Sequence, residues 1–442
     1  MSIVNKNDII EAEIDGIGYE GEGIAHLGGY TVFIRYALPG EKVRAVIILA
    51  KPTFAVGKLL SVLNASADRA EPFCPVYYKC GGCGLQHMSY EAQLSFKARA
   101  VKDTFYKAAK LEVEPDEVVP SPEIRNYRNK MSLPIRGETA AAGFFATGTH
   151  RIVEINECPI QFEGNGALIR AFLDFLHREK ISGYNETTHK GVVRHLTARK
   201  LGDFYTITAV ANGNYRDKLK GFDKILREMY GGDYAYYINY NTGEGNAILG
   251  RKSEFIGGFE RETEIDGLKI SVHPQSFFQV NDGVRELLYR EAAEETQASE
   301  IIDAYSGAGV FSAMLAKKAK SVTAVEIEPE AVRSAQKLMD ANGIKNVKLV
   351  CGDCAEKIPE LISGKVGIVL DPPRAGCDRR VLEAVANAAP EKITYISCNP
   401  ATLARDCAFL IARGYKIQRL TPFDMFPHSP NVENLCVLEY MS

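Results

Sequence analysis

The chain has 442 residues, 46% of them hydrophobic and 25% charged, with a formal net charge of −3. This length predicts roughly two to four domains, with a core large enough to need no disulfides. The composition is that of an ordinary globular protein, and the small net charge means that any nucleic-acid partner must be held by a local basic surface. No apolar run is long enough to cross a membrane, and the N-terminus lacks the apolar segment of a signal peptide. We therefore expect a cytoplasmic protein.

The first part of the chain predicts a small β-barrel. Short alternating runs at 9–14, 30–34, 42–49 and 55–62 are separated by glycine-rich or Pro-Gly turns. Such a set of short strands fits an OB-like barrel, a fold often used on nucleic acid. The loop that contains Gly16, Gly18, Gly21 and Gly23 is interpreted as a turn in preference to a phosphate cradle.

Four cysteines in the first half of the chain form a candidate metal site. Cys74, Cys80 and Cys83 lie in one loop, and Cys158 follows later. Disulfides are rare in a reducing compartment, and thiolates prefer soft metals, so metal ligation is favoured over isolated buried cysteines. Both a structural zinc and an iron–sulfur cluster suit four thiolates. After this loop, a capping residue at Ser89 and helical spacing predict a helix to about residue 110.

A mixed β region with short helices is predicted between about residues 126 and 267. Its strands, at 130–134, 141–145, 191–199 and 204–211, carry several basic residues. Such residues either form an ordinary solvated face or contact RNA, with nearby aromatic rings stacking on unpaired bases. The basic candidates lie at 125–130 and 189–200, and the aromatic candidates are Tyr127, Phe144 and Phe145.

From about residue 273 onward, helices alternate with apolar strands, which is typical of a doubly wound parallel sheet. A strand, a turn with Gly307 and Gly309, and a helix occupy 299–311, but the third glycine of a dinucleotide motif is replaced by Ser312. Glu326 ends the second strand, where an acid commonly binds ribose hydroxyls. Asp353 follows the third strand, at a position suited to an adenine ring. The order of these elements favours a methyltransferase that uses S-adenosylmethionine (SAM) over a dehydrogenase.

Two further strand ends deliver a carboxylate and a thiol. Asp371 opens an Asp-Pro-Pro-Arg loop after the apolar run 366–370, and Cys398 lies in Ser-Cys-Asn-Pro after the run 393–396. Chemistry in an open α/β sheet collects beyond the carboxyl ends of its strands. An isolated cysteine is ordinarily a small buried hydrophobe. The polar, turn-forming setting of Cys398 weakens that interpretation and makes this thiol a candidate for an active site.

A nucleophilic cysteine indicates a target carbon that is not yet nucleophilic. Addition of a thiolate to carbon 6 of a pyrimidine makes carbon 5 enolate-like and able to attack a methyl donor. A base must then remove the proton from carbon 5. Glu433, just before the final predicted strand at 435–440, is the candidate base, although a lone glutamate there would ordinarily be a solvated charge. Arg374 and Arg405 are candidates for lowering the pKa of the thiol.

With these motifs, the chain resembles over essentially its full length the bacterial RNA 5-methyluridine (uracil carbon 5) methyltransferases of the RumA/TrmA type. The resemblance implies that Cys398 is the nucleophile and Glu433 the proton acceptor. It also implies a SAM site at Gln279, Tyr305, Glu326 and Asp371, next to Gly307 and Gly309, and a contact of Asp371 with the target uracil.

The resemblance extends to the N-terminal half. The barrel resembles the TRAM domain that family members often carry for RNA. Members with the same cysteine spacing hold a 4Fe–4S cluster, which implies this cluster, in preference to zinc, at Cys74, Cys80, Cys83 and Cys158. Its expected role is to fix the RNA-binding domain.

The expected architecture is therefore α/β, with three domains. These are an OB-like TRAM barrel at 1–66, a central α+β iron–sulfur domain at 67–270 and a Rossmann-like SAM methyltransferase domain at 271–442. The helical segment at about 89–112 is expected to pack on the methyltransferase domain.

The expected function is SAM-dependent methylation of carbon 5 of a uridine in 23S rRNA, by a monomer that does not bind membranes. The target is expected to be a flipped-out or loop nucleotide. The same chemistry on tRNA is the closest alternative. A non-catalytic RNA-binding iron–sulfur protein is the alternative from another class.

Overall fold

A computed structural model describes residues 4–260, 262–271, 273–276, 278–362 and 366–441. Some expected features lie outside the described residues. They are Phe277 of the expected SAM-binding segment, the first three residues of the expected first domain and the last residue of the expected third domain. In the part of the chain that is described, no helix is both long and apolar enough to cross a bilayer.

The first sheet has six strands in the order β1-β5-β6-β4-β3-β2, and β1 also contacts β3, so the sheet curls on itself. Its inward-facing residues alternate along each strand and form an apolar core. The predicted strands are all present, but the predicted glycine loop is a hairpin: Gly16 pairs with Ile24 and Ile17 with Gly23. Gly21, at φ +81°, supplies its turn. The strands are β1 (Ile9–Glu13), β2 (Gly16–Ile17), β3 (Gly23–Leu27), β4 (Tyr30–Arg35), β5 (Lys42–Ala50) and β6 (Phe54–Asn64).

The cysteine-bearing loop leads from β6 into α1 (Tyr90–Ala109). As predicted from the sequence, Ser89 caps this helix, by accepting a hydrogen bond from the Ala92 amide, and the helix ends near residue 110. Lys110 ends it in the left-handed conformation. Val101 and Phe105 have no exposed surface, and α1 packs against the C-terminal half of the chain.

The central sheet has seven strands in the order β13-β12-β11-β10-β7-β8-β9, with helices covering one face. Its predicted strands are present, and β11 and β12 are parallel because a helical crossover joins them. The elements are β7 (Lys130–Arg136), β8 (Ala141–Phe145), β9 (Ile152–Glu154), α2 (Asn165–Arg178), β10 (Val193–Leu201), β11 (Phe204–Ala211), α3 (Arg216–Leu219), α4 (Phe222–Tyr230), β12 (Tyr234–Tyr240) and β13 (Lys252–Gly258).

The C-terminal sheet has the order β18-β17-β16-β19-β20-β22-β21, preceded by the small hairpin β14–β15. Strands β16 to β20 are parallel and apolar, whereas β21 and β22 are antiparallel. This is the predicted doubly wound α/β fold. The strands are β14 (Glu262–Ile265), β15 (Leu268–Ser271), β16 (Glu300–Ala304), β17 (Ser321–Glu326), β18 (Val347–Cys351), β19 (Gly367–Leu370), β20 (Lys392–Ser397), β21 (Tyr415–Phe423) and β22 (Glu433–Tyr440). The helices are α5 (Asp282–Glu295), α6 (Val310–Ala316), α7 (Pro329–Ala341), α8 (Cys354–Leu361), α9 (Arg379–Ala388) and α10 (Pro400–Ile411).

Candidate active site

The strand order of the C-terminal sheet determines where a ligand can bind. The chain runs outward from β16 through β17 to β18, then returns to the other side of β16 with β19 and β20. The crevice at such a reversal, beyond the carboxyl ends of the strands, is the usual ligand site of open α/β sheets. The loops that follow β16, β19 and β20 therefore form one candidate site.

Cys398 lies at the carboxyl end of β20 and is half-buried. The next residue, Asn399, is the N-cap of α10: its side-chain oxygen accepts from the Ala401 amide at 3.1 Å. The Asn399 side-chain amide also donates to the Arg374 carbonyl at 3.0 Å, and Thr402 Oγ1 donates to the same carbonyl at 3.3 Å. The loop that follows β19 is thus fastened to the cysteine turn, which fixes the thiol relative to the Asp-Pro-Pro-Arg segment.

Glu433 is brought beside Cys398 by the pairing of β22 with β20. In that antiparallel ladder Ser397 pairs with Asn434, and Cys398 and Glu433 are the next two residues toward the open end. The Asn434 side chain donates to the Ser397 carbonyl at 3.1 Å, which supports the ladder at this point. Opposed residues of such a ladder lie about 5 Å apart at their Cα atoms. Glu433 is the first residue of the strand and 2% exposed, not a loop residue before it.

The electrostatics of this pair differ from the sequence-based expectation. Burial and the charge of Glu433 raise the pKa of Cys398, and the guanidinium of Arg374 only partly offsets them. Burial, with the charge of Asp371, raises the pKa of Glu433 well above its usual range. Arg405 lies elsewhere: it pairs with Asp406 and donates to the Ala375 carbonyl at 3.1 Å. Of the two arginines considered, only Arg374 acts on the thiol.

The glycine turn after β16 leaves open space at the switch point. A side-chain carbon added to Gly307 (φ +55°) would have no atom within 4 Å, whereas one added to Gly309 (φ +79°) would lie 2.8 Å from Ala335 Cβ. Gly309 thus permits close packing of α6 on α7, and Gly307 faces the crevice. The Gly307 amide donates to Glu326 Oε2 at 2.9 Å, so the acid at the end of β17 lies against this turn.

Two acidic residues and a tyrosine lie behind the crevice. Burial raises the pKa of Asp371 to about 7, and the charge of Asp303 adds to this. The pKa of Asp303 is also raised to about 7, by burial and the charge of Glu326, against a hydrogen bond from Ser312. Tyr289 on α5 is close enough to Asp371, Asp303 and Glu433 that their charges help to raise its pKa. Once ionised, the carboxyl groups of Asp371 and Asp303 would attract a cationic ligand.

The remaining sequence-predicted cofactor residues are Tyr305, Gln279 and Asp353. Tyr305 follows β16 directly, is half-buried and has the left-handed φ of +66°, a strained conformation for a tyrosine. Gln279 is buried; its carbonyl accepts from the Asn129 side chain at 3.0 Å, and it precedes the α5 cap Asn281. Asp353, expected near adenine, caps α8 by accepting from the Ala355 amide at 2.9 Å.

The four predicted cluster cysteines converge from two segments of the chain. The pKa of Cys83 is raised to about 12 by burial and by the charges of Cys158, Cys80 and Cys74. The pKa of Cys158 is raised to about 11, chiefly by burial. The Gly81 amide donates to the Phe145 carbonyl at 2.8 Å, and a side chain at 81 would collide with that carbonyl. Within the described ranges, no group of three or more His, Cys, Asp or Glu side chains is arranged to hold a single metal ion.

Much of the predicted RNA surface is buried. Arg194, His195 and Arg199 on β10 are 5%, 8% and 5% exposed, so they cannot form a solvent-facing basic stripe. Tyr127 is 7% exposed and donates to the Pro427 carbonyl at 3.1 Å, so its ring is not free to stack on a base. The predicted basic residues that remain accessible are Arg125, Arg128, Lys130, His189, Lys190 and Lys200.

Several buried residues near the site were not singled out from the sequence. Besides Tyr289 and Asp303, they include the ion pair of Lys97 with Asp424, in which neither side chain is exposed. His428, in the loop before Glu433, is also buried. For Asp424 and His428, the sequence signal is their position in the loop that leads into the final strand.

Comparison with known families and proteins agrees with this geometry. The family described as tRNA (Uracil-5-)-methyltransferase matches residues 264–441, which contain the whole crevice. The TRAM domain family matches residues 4–60, which form the first sheet.

Relatives match along the whole chain. A protein of Clostridium tetani named uncharacterized RNA methyltransferase is 38% identical over 99% of this chain and 97% of its own length. A protein of the same name from Halalkalibacterium halodurans is 37% identical over 99% of this chain and 98% of its own. The crystal structure of Pyrococcus abyssi tRNA (uracil-54, C5)-methyltransferase, in complex with S-adenosyl-L-homocysteine, superposes with a TM-score of 0.80. It is 27% identical and covers 97% of this chain and 99% of its own.

Proposed function

The chain belongs to the RNA uracil-5-methyltransferase family, and from this premise we propose that it methylates carbon 5 of a uridine through a covalent bond to Cys398. The observation that carries the proposal is the antiparallel register that sets Glu433 beside Cys398 at the switch-point crevice. After methyl transfer, a thiol alone would leave an adduct that cannot be released, because the carbon 5 proton must be removed first. A thiol next to a buried carboxyl group can complete the reaction.

The first step uses Cys398 and Arg374. The thiolate adds to carbon 6 of the uracil, and the electrons of the 5,6 double bond move onto carbon 5 and the neighbouring carbonyl. Since the pKa of the thiol is raised in the free protein, the guanidinium of Arg374 is the group that favours the anion. Its side chain is exposed at the mouth of the site, where it can reach the base.

SAM supplies the methyl group as an electrophile on a positively charged sulfur. The residues expected to hold it are Gln279, Tyr305, Glu326 and Asp371, around the open space at Gly307. The Pyrococcus abyssi enzyme was solved with S-adenosyl-L-homocysteine, which supports this assignment. The carboxyl groups of Asp371 and Asp303 favour a cationic ligand once they are ionised.

The last step belongs to Glu433. After methyl transfer, carbon 5 carries both a methyl group and a hydrogen. The carboxylate of Glu433 takes that proton, the C–H electrons restore the 5,6 double bond, and the bond from carbon 6 to Sγ breaks to return the thiolate. A carboxyl group with a raised pKa is a stronger base than an ordinary glutamate, which suits removal of a carbon-bound proton.

The proposed substrate is structured RNA. A uracil carbon inside a duplex is unreachable unless the nucleotide is flipped out, so loop nucleotides are the favoured targets. The TRAM match at residues 4–60 supports an RNA partner, and we propose 23S rRNA, bound by a monomer. A tRNA target is the second candidate, because both the matching family and the Pyrococcus abyssi enzyme are named for tRNA.

The four clustered cysteines fit a 4Fe–4S cluster by the chemistry of their donor set. Cys74, Cys80, Cys83 and Cys158 are close enough to interact electrostatically, and burial raises the pKa of Cys80, Cys83 and Cys158. An iron–sulfur core would supply the charge that makes four thiolates stable, and would cross-link the two segments that carry them. A structural zinc, which four thiolates also suit, is the alternative occupant of this site.

Mass-spectrometric mapping of 5-methyluridine in ribosomal and transfer RNA tests this proposal. In cells that lack the protein, one or more 5-methyluridines should revert to uridine, and the wild-type gene should restore them while Cys398→Ala should not. Reversion in 23S rRNA supports the first target, and reversion in tRNA the second. An unchanged set of 5-methyluridines, together with no transfer by the pure protein to any RNA, would favour a non-catalytic RNA-binding protein.

A further inference from the structure

The loop that ends at Glu433 is held mainly by parts of the chain outside the C-terminal sheet. Residues 424–432 connect β21 to β22, and the pair of Phe423 with Glu433 closes this hairpin. We call residues 424–432 the base loop. Lys97 on α1 binds the Asp424 carboxylate and donates to the Phe426 carbonyl at 3.0 Å. Because the loop closes directly at Glu433, its position sets where that carboxyl group points.

His428 is the residue of the base loop with the most connections. It is 3% exposed and has a left-handed φ of +66°. Its amide donates to Gln93 Oε1 at 2.9 Å, and its ring Nε2 lies 2.9 Å from the Ile124 carbonyl. The ring Nδ1 lies 3.3 Å from Gln93 Nε2. These partners assign the hydrogen to Nε2 and leave Nδ1 as an acceptor.

The residues that flank the cysteines provide the other contacts of His428. Its carbonyl accepts from the amides of Gly84 at 2.9 Å and Leu85 at 3.0 Å, the two residues that follow Cys83. Its ring packs edge-on against Phe73, which precedes Cys74, with 5.0 Å between the ring centres. Gly84 also approaches Pro430: a side-chain carbon placed on Gly84 would lie 3.5 Å from Pro430 Cδ. We call residues 73–85 the cysteine loop. His428 therefore contacts both ends of this loop.

We propose that His428 is a positioning residue that ties Glu433 to the cysteine loop, so that removal of the carbon 5 proton depends on the fold of that loop. This rests on the proposed function. The turns after β19 and β20, which carry Cys398, are fastened to each other by the bonds of Asn399 and Thr402 to the Arg374 carbonyl. Removal of the carbon 5 proton is the step that needs the Glu433 carboxyl group in place, and the base loop ends at that residue. A displaced base loop should therefore stop the reaction after methyl transfer, with the RNA still bonded to Sγ.

The test is the amount of covalent protein–RNA adduct formed on RNA that contains ordinary uridine. His428→Asn keeps a residue that tolerates the left-handed conformation but loses the ring contacts with Ile124 and Phe73. Phe73→Leu weakens the same contact from the side of the cysteine loop. His177→Asn is the matched control, because that exposed histidine on α2 also has one ring contact with a carbonyl, Ala140 at 2.7 Å.

We expect kcat to fall about ten- to a hundred-fold in both test variants, the effect of a small misplacement of a reacting group. The KM for RNA should fall with kcat, because the slowed step follows formation of the adduct. Methylated RNA should accumulate as a denaturation-resistant adduct, and its amount should approach that of the enzyme. The control should behave like the wild type. A fall in kcat without adduct, or a rise in KM alone, would overturn the proposal.

If His428→Asn does not fold, as judged by circular dichroism and SAM binding, Phe73→Leu decides the outcome by the same readout. Wild-type protein that methylates no RNA would instead refute the proposed function. The two failures are therefore distinguishable.

Discussion

The ion pair between Lys97 and Asp424 joins α1 to the base loop and is buried from solvent. Its loss should therefore lower the free energy of unfolding. Both side chains are 0% exposed. The Asp424 carboxylate also accepts from Tyr90 Oη at 2.8 Å, and the Tyr90 oxygen accepts from the Ser121 amide at 2.8 Å. Burial lowers the pKa of Lys97, which the negative charge of Asp424 opposes. Lys97→Met keeps most of the side-chain volume and removes only the charge and its hydrogen bonds.

The expected magnitude follows from what remains in Lys97→Met. The buried Asp424 carboxylate would keep the hydrogen bond from Tyr90, and breaking a buried pair by removing one partner costs about 3–5 kcal/mol. Tyr90→Phe removes one hydrogen bond to a charged acceptor and should cost less, about 1.5–3 kcal/mol. Lys97→Met combined with Asp424→Asn removes both charges. The double variant should therefore recover about 2 kcal/mol relative to the sum of the single variants.

The chain contains no tryptophan, so urea unfolding is best followed by far-ultraviolet circular dichroism. A chain of several domains need not unfold in one step, and hydrogen exchange in peptides that span 424–432 should report the local loss. Exchange there should accelerate in Lys97→Met, while peptides of the first sheet should be unaffected. A loss below about 1 kcal/mol in Lys97→Met would refute the assignment of a charged, mutually dependent pair.

Three further predictions concern the site itself. Arg374→Ala should shift the pH–rate profile to higher pH and lower the rate about ten-fold at neutral pH, because one unit of thiol pKa changes the thiolate fraction about ten-fold. The rate should recover in alkaline buffer. Arg380→Ala, exposed on α9, is the control, and a loss of rate that does not depend on pH would contradict this prediction. The pKa of Asp371 is raised to about 7, so its charge is present above that pH and lost below it. Calorimetry should find that the preference for cationic SAM over neutral S-adenosylhomocysteine grows from pH 6 to pH 8; a constant ratio would count against the carboxylates. Gly309→Ala should destabilise the fold more than Gly307→Ala, because only the former collides with Ala335, whereas Gly307→Ala should weaken SAM binding; thermal melts and titrations separate the two effects.

The sequence predicted those helices and strands whose formation depends mainly on their own residues. The helix α1 was predictable because Ser89 caps it and its apolar spacing is helical. Strands β16, β17, β19 and β20 were predictable because each is a short apolar run that ends in a turn, and their parallel order placed Asp371 and Cys398 at one edge.

Other features depend on contacts between distant parts of the chain. The position of Glu433 as the first residue of β22 follows from its pairing with Phe423, which no local pattern shows. The basic residues of β10 looked like part of a solvated strand, yet Arg199 is buried and its guanidinium lies over the Phe278 ring, 5.2 Å from the ring centre. Tyr127 is also buried, and its hydroxyl donates to the Pro427 carbonyl of the base loop. The glycine segment of the first sheet looked like a loop because glycine is a poor strand former, but its neighbours impose a hairpin.

The central claim, that Sγ of Cys398 bonds to carbon 6 of a uracil before methyl transfer, is tested most directly with RNA that contains 5-fluorouridine. Fluorine at carbon 5 leaves no proton for Glu433 to remove, so the methylated ring should remain attached to the protein. The account predicts a stable protein–RNA adduct whose peptide mass maps to Cys398 and which Cys398→Ala does not form. An RNA that the enzyme methylates when it contains ordinary uridine, but that gives no adduct or an adduct at another residue when fluorinated, would contradict it.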